Sequence, residues 1–292
     1  MNNDTRWNFG FIIHRSSLIV FAALLLASAC SRQRPVVVGS KNFTESVILG
    51  ELLAQKLESA GCRVDRRLNL GGTLVCDAAI TAGSLDTYVE YSGTALTAIL
   101  HQPNASIVDA YAKRGLHWGP SLGFNDTFAM IVLKDSGLRT ISDLKKVESS
   151  FQPAFGYEFA ARPDGWTGLL QHYDLHFAKP PRTMDLGLTY KALASRQVDL
   201  IAGNSTDGLI QSLGLLVLED DKHFFPRYDA AVVYRNDLDS KCRAALESLS
   251  GILNDATMRR LNYEVDGRKR RVEDVVREYF TSRRGAGSRG SR

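Results

Sequence analysis

The sequence lacks the motifs that identify most enzymes and metal proteins. It has six histidines, but no HExxH pair, no GxSxG nucleophile motif and no CxxC spacing. The "GSK" at 39–41 matches a phosphate-binding loop only in part, because the upstream glycine and the Gly-Lys-Ser/Thr order are missing. These absences give no support to catalysis, and we expect no catalytic residue, no cofactor and no metal site.

The sequence also lacks a large excess of charge of one sign, and it has no apolar run long enough to span a membrane. The 36 lysines and arginines nearly balance the 32 aspartates and glutamates, which leaves a formal net charge of +4. Near balance does not favour a nucleic-acid partner, since such proteins carry a basic surface. The run "SSLIVFAALLLASAC" is shorter than the about 20 apolar residues that cross a bilayer.

The N-terminal segment is instead typical of a secretory signal. Arg6 and Arg15 precede the apolar run, which ends in small residues before Cys30. The cysteine after Ala-Ser-Ala resembles a bacterial lipobox, although Ala27 replaces the usual leucine. We predict a signal peptide over 1–29 and an exported protein with a lipid anchor on Cys30, in the periplasm or on the outer face of a membrane. The alternative is ordinary cleavage with an incidental cysteine.

Cysteine is scarce in the rest of the chain. Only Cys62, Cys76 and Cys242 follow Cys30, and an odd number cannot all pair. We expect these three side chains to be small buried apolar groups rather than a disulfide framework.

What the sequence does contain is an alternation of strand and helix patterns. "PVVVGS" is typical of a buried strand, and a helical apolar stripe follows in "NFTESVILGELLAQKLESAG", where Asn42 and Glu45 are spaced as in a capping box. The strand patterns "CRVDRRLNL" and "LDTYVEY" flank a helix that opens with glycines, "GGTLVCDAAITAG". Strands that alternate with helices indicate βαβ units and a parallel sheet, so we predict an α/β fold.

A second series of elements starts near Phe128, with "FAMIVLK", "PAFGYEF", "VDLIAG" and "LLVLED" as strands. From "YDAAVVYR" onward, one strand and three helices indicate a return to the first part. Two α/β lobes joined by two chain crossings place a ligand cleft between them, at the carboxyl ends of the strands. The predicted boundaries are 30–35 for an N-terminal linker, 36–124 for the first part of lobe 1, 125–226 for lobe 2, 227–281 for the return segment of lobe 1 and 282–292 for a disordered basic tail.

Polar and aromatic side chains follow several of the predicted strands. Lys41 follows "VVVGS", Tyr91 and Thr94 follow "TYVE", and Asn204 follows "VDLIAG". Because strand carboxyl ends meet at the cleft, we expect these side chains to point into it; core packing is the alternative for any single tyrosine. We interpret "STDG" as the start of a helix and Asp207 as a capping or first-turn residue.

Eight blocks in one order resemble the substrate-binding proteins of ABC importers for osmoprotectants such as glycine betaine, choline and carnitine. The resemblance implies the two-lobed periplasmic-binding-protein fold of type II, an ABC permease as partner, a monomeric receptor and no enzymatic activity. The blocks span about residues 36–280 and are "VGSKNFTESVILGELLA", "LNLGGTLVCDAAI", "YVEYSGTALTAIL", "LGFNDTFAM", "DGWTGL", "TMDLGLTYKAL", "NSTDGLI" and "VLEDDKHFFPRYDAAVV".

The resemblance also implies a ligand site. In that family aromatic rings cage a trimethylammonium group, which has no N–H to donate and is attracted by ring faces. Gly93 would let the backbone turn tightly between a cage residue and a polar one. Carried over by position, the cage falls on Tyr91, Phe128, Asn204 and Tyr228, and the polar grip falls on Lys41, Thr94 and Arg162.

Two positions depart from the family's pattern, because Phe128 and Asn204 stand where tyrosine is usual. Phenylalanine keeps the ring face, whereas asparagine removes a wall and adds hydrogen-bonding groups. This predicts weaker betaine affinity or a larger ligand in a more polar pocket. Asp126 either places a carboxylate near the cation or is a plain turn residue. The alternative functions are a receptor for a different betaine-like zwitterion or polar amine, and an exported enzyme on the same bilobal fold.

Overall fold

The protein is described by a computed structural model that covers residues 34–287. The predicted signal peptide, the cysteine at its end and residues 288–292 therefore lie outside the described residues. In the part of the chain that the structure describes, no helix combines the length and the apolar character needed to cross a membrane.

The first half of the chain alternates strands and helices, as the pattern predicts. The short helix α3 continues into a π-helical turn at Ala95–Ile99. The elements are β1 (Val36–Lys41), α1 (Thr44–Ser59), β2 (Val64–Gly71), α2 (Thr73–Thr81), β3 (Thr87–Tyr91), α3 (Ser92–Thr94), α4 (Ile107–Ala112) and β4 (Leu116–Asn125).

The middle of the chain builds a second set of elements. The predicted strand "PAFGYEF" is only three residues long, because its second half starts a helix at Tyr157. The elements are β5 (Phe128–Leu133), 3-10 turns at Lys134–Ser136 and Ile141–Lys146, β6 (Pro153–Phe155), α5 (Tyr157–Ala161), α6 (Trp166–Tyr173), β7 (Arg182–Thr183), α7 (Leu186–Ala194), β8 (Leu200–Asn204), α8 (Gly208–Ser212) and β9 (Leu215–Val217).

The last segment returns to the first set, as the sequence predicts. It consists of β10 (Asp229–Arg235), α9 (Ser240–Glu247), α10 (Asp255–Asp266) and α11 (Val272–Gly287). The first sheet has the order β2-β1-β3-β10-β4, and the second has the order β7-β6-β8-β5-β9. β1 is parallel to β2 and β3, whereas β10 pairs antiparallel with β3 and β4.

Each sheet carries its own apolar core, so we call the parts of the molecule the first and second lobe. Helix α1 buries its predicted stripe, which includes Leu49, Leu52 and Leu53, against the first sheet. Phe155, Trp166 and other side chains pack against the second sheet. The residue boundaries of the lobes stay a prediction, whereas the α/β architecture with two sheets is confirmed.

The disulfide between Cys62 and Cys242 contradicts the expectation that the cysteines are only buried apolar groups. The two Cα atoms are 6.1 Å apart although 180 residues separate them in sequence. Cys62 lies just after α1 and Cys242 lies in α9, so the bond joins the first elements of the first lobe to its return segment. Cys76 is a buried free thiol, as predicted.

The C-terminal tail also differs from its prediction, because α11 continues to Gly287. Residues 282–287 are thus helical rather than disordered. Arg283 donates from Nη1 to the carbonyl oxygen of Ile252 at 2.6 Å, and this hydrogen bond holds the end of the helix to the loop before α10.

Candidate functional site

A cavity of about 680 Å³ lies between the two lobes, at the carboxyl ends of β1, β3 and β8. This is the place where the α/β pattern predicts a ligand cleft. The structure brings all eight predicted site residues to its lining: Lys41, Tyr91, Thr94, Asp126, Phe128, Arg162, Asn204 and Tyr228. Their role in binding stays a prediction.

Two aromatic rings of the lining meet edge to face. The centroids of Phe128 and Tyr228 are 5.4 Å apart with an interplanar angle of 70°. The guanidinium carbon of Arg162 lies 5.1 Å from the Phe128 centroid and 5.8 Å from the Tyr228 centroid. These rings therefore already hold a cation against their faces, which is the chemistry an aromatic cage requires.

Arg162 uses most of its hydrogen-bond donors on protein partners. It donates to Asp164 from Nε at 2.8 Å and from Nη2 at 2.5 Å, and to Thr94 Oγ1 from Nη1 at 3.1 Å. Burial would raise the pKa of Asp164, but the hydrogen bonds and charge of Arg162 hold that pKa below its usual value. Arg162 also interacts with the hydroxyl of Tyr228, so its guanidinium is held by partners from both lobes.

Asp164 also connects the lobes across the cavity. It belongs to the second lobe and accepts a 2.5 Å hydrogen bond from the hydroxyl of Tyr228, which immediately precedes β10 of the first sheet. Thr97 of the first lobe lies 2.9 Å from the same carboxylate oxygen. A third contact runs from the backbone N–H of Thr73 to Glu158 in α5 at 3.3 Å. The lobes are therefore held together by polar contacts around the cavity.

Lys41 is buried and paired rather than free. Its Nζ donates to Glu90 at 2.5 Å and to Thr73 Oγ1 at 3.0 Å. It also lies 5.1 Å from the centroid of Tyr91. Burial raises the pKa of Glu90, and the charge of Lys41 opposes that rise. A ligand anion could therefore accept a hydrogen bond only from the third N–H of Lys41. The positive charge of Lys41 is already balanced by Glu90.

Glu45 lies behind the cavity lining and contacts Tyr91, and the sequence analysis did not connect it with the site. The helix α1 begins after Phe43 with no side-chain cap, so the predicted capping box is absent. Glu45 instead accepts hydrogen bonds from the hydroxyl of Tyr91 at 2.8 Å and from the amide of Asn262 at 3.0 Å. No local signal could reveal this, because a glutamate three residues from an asparagine already has a simpler local explanation.

Asp126 is buried beside this glutamate rather than exposed in a turn. Oγ1 of Thr206 lies 2.6 Å from Oδ1 of Asp126 and 2.5 Å from Oε2 of Glu45. Burial raises the pKa of Asp126 well above its usual value, and the nearby charges of Glu45 and Asp207 add to the rise. A plain turn residue would not have this environment.

Asn204 and Asp207 form a polar corner of the cavity. Asn204 pairs with Phe128 across the β5–β8 ladder, and among the described residues its side-chain amide has no hydrogen-bond partner. Asp207 occupies the N-cap position of α8, as interpreted, although its side chain makes no capping hydrogen bond. It accepts hydrogen bonds from the backbone N–H of Asn204 at 2.8 Å and from the hydroxyl of Tyr190. Burial raises the pKa of Asp207 to about 7.

Gly93 is needed for packing rather than for a tight turn. The segment after β3 is the short helix α3, so no turn is made there. A Cβ atom on Gly93 would lie 2.7 Å from ring atoms of Tyr228 and 2.8 Å from the carbonyl oxygen of Arg227. The missing side chain therefore lets the Tyr228 ring reach the cavity.

Residues 34–282 match the family described as the substrate binding domain of the ABC-type glycine betaine transport system. The chain belongs to this family. Its members are extracytoplasmic substrate-binding receptors of transporters, not enzymes, which confirms the resemblance that the eight blocks indicate.

Relatives and solved structures agree on the family but differ in the ligand they name. The chain is 35% identical over 91% of its length to the ergothioneine transport permease/ergothioneine binding protein EgtU of Helicobacter pylori, and spans 52% of that protein. It is 31% identical over 93% of its length to the carnitine transport binding protein OpuCC of Listeria monocytogenes, and spans 94% of it. A crystal structure of a glycine betaine/carnitine/choline ABC transporter protein superposes with a TM-score of 0.69 at 30% identity, covering 85% of this chain and 98% of that one.

Proposed function

We propose that this protein captures a quaternary-ammonium compatible solute of the glycine betaine, choline or carnitine type and delivers it to an ABC permease. The observation that carries the proposal is the pair of rings, Phe128 and Tyr228, whose faces already hold the guanidinium of Arg162. A trimethylammonium group is a diffuse cation of the same kind, and each ring contributes about 0.5–2 kcal/mol to its binding when dehydrated.

The polar groups beside the rings suit the other end of such a ligand. Arg162 and Lys41 both line the cavity with a positive charge, and Lys41 donates two of its three N–H groups to Glu90 and Thr73. Both can donate to a carboxylate or hydroxyl oxygen while their own carboxylate partners keep the cavity near neutrality. The carboxyl group of Asp126 also lines the cavity, where a cation would favour its ionised form.

Titration calorimetry with glycine betaine, choline and carnitine tests the proposal. We expect micromolar affinity, or about 8 kcal/mol, for at least one of them. Phe128→Leu keeps an apolar side chain but removes the ring, and should weaken binding about 2- to 30-fold. Phe177→Ala, a ring outside the cavity lining, is the matched control and should leave affinity unchanged. No heat with any of the three at millimolar concentration would defeat the proposal.

A second candidate is a larger betaine that carries hydrogen-bond donors. The unpartnered amide of Asn204 and the carboxylate of Asp207 support it, because both face the cavity beside the rings. The relative named as an ergothioneine-binding protein makes ergothioneine a suitable probe. If this candidate is right, wild type binds ergothioneine more tightly than glycine betaine, and Asn204→Tyr reverses the order by restoring a ring.

We further propose that the ligand leaves chemically unchanged, that residues 1–29 are removed and that a lipid on Cys30 anchors a monomer. The lipobox-like sequence before Cys30 supports the anchor. Mass spectrometry of protein extracted from its own cells would detect the lipid, and a Cys30→Ala variant should be released from membranes. An unmodified N-terminus in the extracted protein would contradict the anchor, and a converted ligand would contradict the absence of catalysis.

A further inference from the structure

Two buried carboxyl groups share one hydroxyl next to the cavity, and one of them, Asp126, lines it. Thr206 Oγ1 is within 2.6 Å of Asp126 Oδ1 and 2.5 Å of Glu45 Oε2. A hydroxyl has one proton to donate, so it cannot donate to two carboxylates at once. One of the two contacts therefore needs a proton from the carboxyl group itself.

The other hydrogen bonds decide which carboxyl group holds that proton. Burial raises the pKa of Glu45, but the hydrogen bonds that it accepts from the Tyr91 hydroxyl and the Asn262 amide oppose that rise and favour its ionised form over that of Asp126. Besides the shared hydroxyl, Asp126 has a 3.4 Å contact from the backbone N–H of Thr206 and a hydrogen bond with Glu45 that raises the pKa of Asp126. The consistent arrangement is a protonated Asp126 that donates to Thr206, which in turn donates to an ionised Glu45.

The charges around Asp126 oppose its ionisation in the empty cavity. Burial and the charges of Glu45 and Asp207 raise its pKa well above the usual value. The cations of the cavity are already paired, Lys41 with Glu90 and Arg162 with Asp164. The titratable groups facing Asp126 are Glu45 from α1, Tyr91 from β3, Asp207 ahead of α8, Tyr190 from α7 and Tyr228 at the start of β10.

We propose that Glu45 and Thr206 are positioning residues that keep a proton on Asp126, and that a cationic ligand entering the cavity releases this proton to solvent. The inference rests on the proposed function, because it needs a cation beside Asp126. The step is balanced: the neutral carboxyl group and the cation become a carboxylate–cation pair, and one proton leaves. Since Thr206 follows β8 and Glu45 lies in α1, the proton-holding contact also spans the two lobes.

The test is calorimetry with choline, which has no acidic group of its own, in buffers of different ionisation enthalpy. If glycine betaine or carnitine binds more tightly than choline, that ligand is used in the same experiment instead. At pH 6 we expect the observed heat to vary with the buffer by an amount that corresponds to nearly one proton released. The affinity should fall by up to about tenfold for each pH unit below the pKa of Asp126. Equal heats in all buffers and an affinity constant between pH 5.5 and 8 would overturn the proposal.

Two variants separate positioning from simple folding effects. Glu45→Gln removes the negative charge that opposes ionisation of Asp126, so proton release should fall below a third of the wild-type value while binding persists. Thr206→Val should also lower proton release. Glu51→Gln alters another buried carboxylate of α1, which is paired with Arg66, and should change neither ligand affinity nor proton release. Undiminished release in Glu45→Gln would overturn the positioning role, whereas absence of binding at every pH in wild type would overturn the proposed function.

Discussion

The ring and the hydroxyl group of Tyr91 have different roles, one in the cavity and one in the protein interior. The ring lines the cavity and lies 5.1 Å from the ammonium of Lys41. The hydroxyl donates to the buried carboxylate of Glu45 at 2.8 Å. At the residue scale, two substitutions of Tyr91 can therefore distinguish the contribution of the ring to ligand affinity from the contribution of the hydroxyl group to stability.

Tyr91→Phe should leave ligand affinity nearly normal, because the ring face is kept. It should lower the free energy of unfolding by about 1–2 kcal/mol, since Glu45 loses a donor. Tyr91→Ala should weaken ligand binding by at least about 1 kcal/mol. Calorimetry and urea unfolding measure the two effects, and equal loss of affinity in both variants would show that the hydroxyl holds the ligand.

Asp207 should make the ligand-free protein less stable as pH rises. Its pKa is about 7 in the folded state against an ordinary value of 3.8, so the folded state binds more protons than the unfolded state between these values. The stabilisation is complete below the lower value and is lost as pH rises towards 7, up to about 4 kcal/mol. Asp207→Asn should flatten the fall in melting temperature between pH 5 and pH 8. A fall as steep as that of wild type would contradict the assignment.

At the scale of elements, the return segment is joined to the first lobe both by strand pairing and by a covalent bond. β10 lies between β3 and β4, so the sheet is incomplete without residues from the end of the chain. The disulfide then links α9 to the end of α1. Neither Cys62 nor Cys242 lines the cavity, which places this connection outside the ligand site.

Replacing both Cys62 and Cys242 by serine should lower the free energy of unfolding by about 2–5 kcal/mol, because the unfolded chain loses a long closed loop. Ligand affinity should stay within twofold of wild type. The measurement is guanidinium unfolding with and without reductant. A Cys76→Ala variant is the control, since it should remain sensitive to reductant, and unchanged stability in the double variant would contradict the bond.

At the scale of the whole molecule, the contacts around Asp164 bring the lobes together. Arg162 and Asp164 of the second lobe meet Tyr228, Thr94 and Thr97 of the first. Closure of two lobes around a ligand is a hinge motion. The strength of these polar contacts at the cavity rim therefore sets the free-energy difference between the open and closed arrangements of the lobes.

Asp164→Asn should favour the open arrangement, because Arg162 loses its charged partner and Tyr228 loses a charge-assisted hydrogen bond. We expect a larger radius of gyration in small-angle X-ray scattering of the ligand-free protein and ligand affinity at least about threefold weaker. Asp135→Asn, which breaks an exposed ion pair with Arg196, is the matched control. Identical scattering of wild type and Asp164→Asn would exclude this role.

The sequence by itself determined the alternation of strands and helices, the parallel first strands and the placement of Lys41, Tyr91 and Asn204 at strand ends. These features follow from periodicity and from backbone direction, which neighbouring residues encode. A resemblance spread over eight blocks added Phe128, Arg162 and Tyr228 to the lining.

Only the tertiary structure decided the disulfide, the pairing of Lys41 with Glu90 and the carboxyl pair of Glu45 and Asp126. Their partners are 49 to 180 residues apart in the hydrogen-bond and disulfide contacts that define them, as for Lys41 with Glu90 and Cys62 with Cys242. Such contacts depend on how distant elements pack: β1 beside β3, the return segment against α1, and the second lobe against the first. Local sequence patterns do not predict these contacts, because a short segment can form the same helix or strand whichever distant residues pack against it.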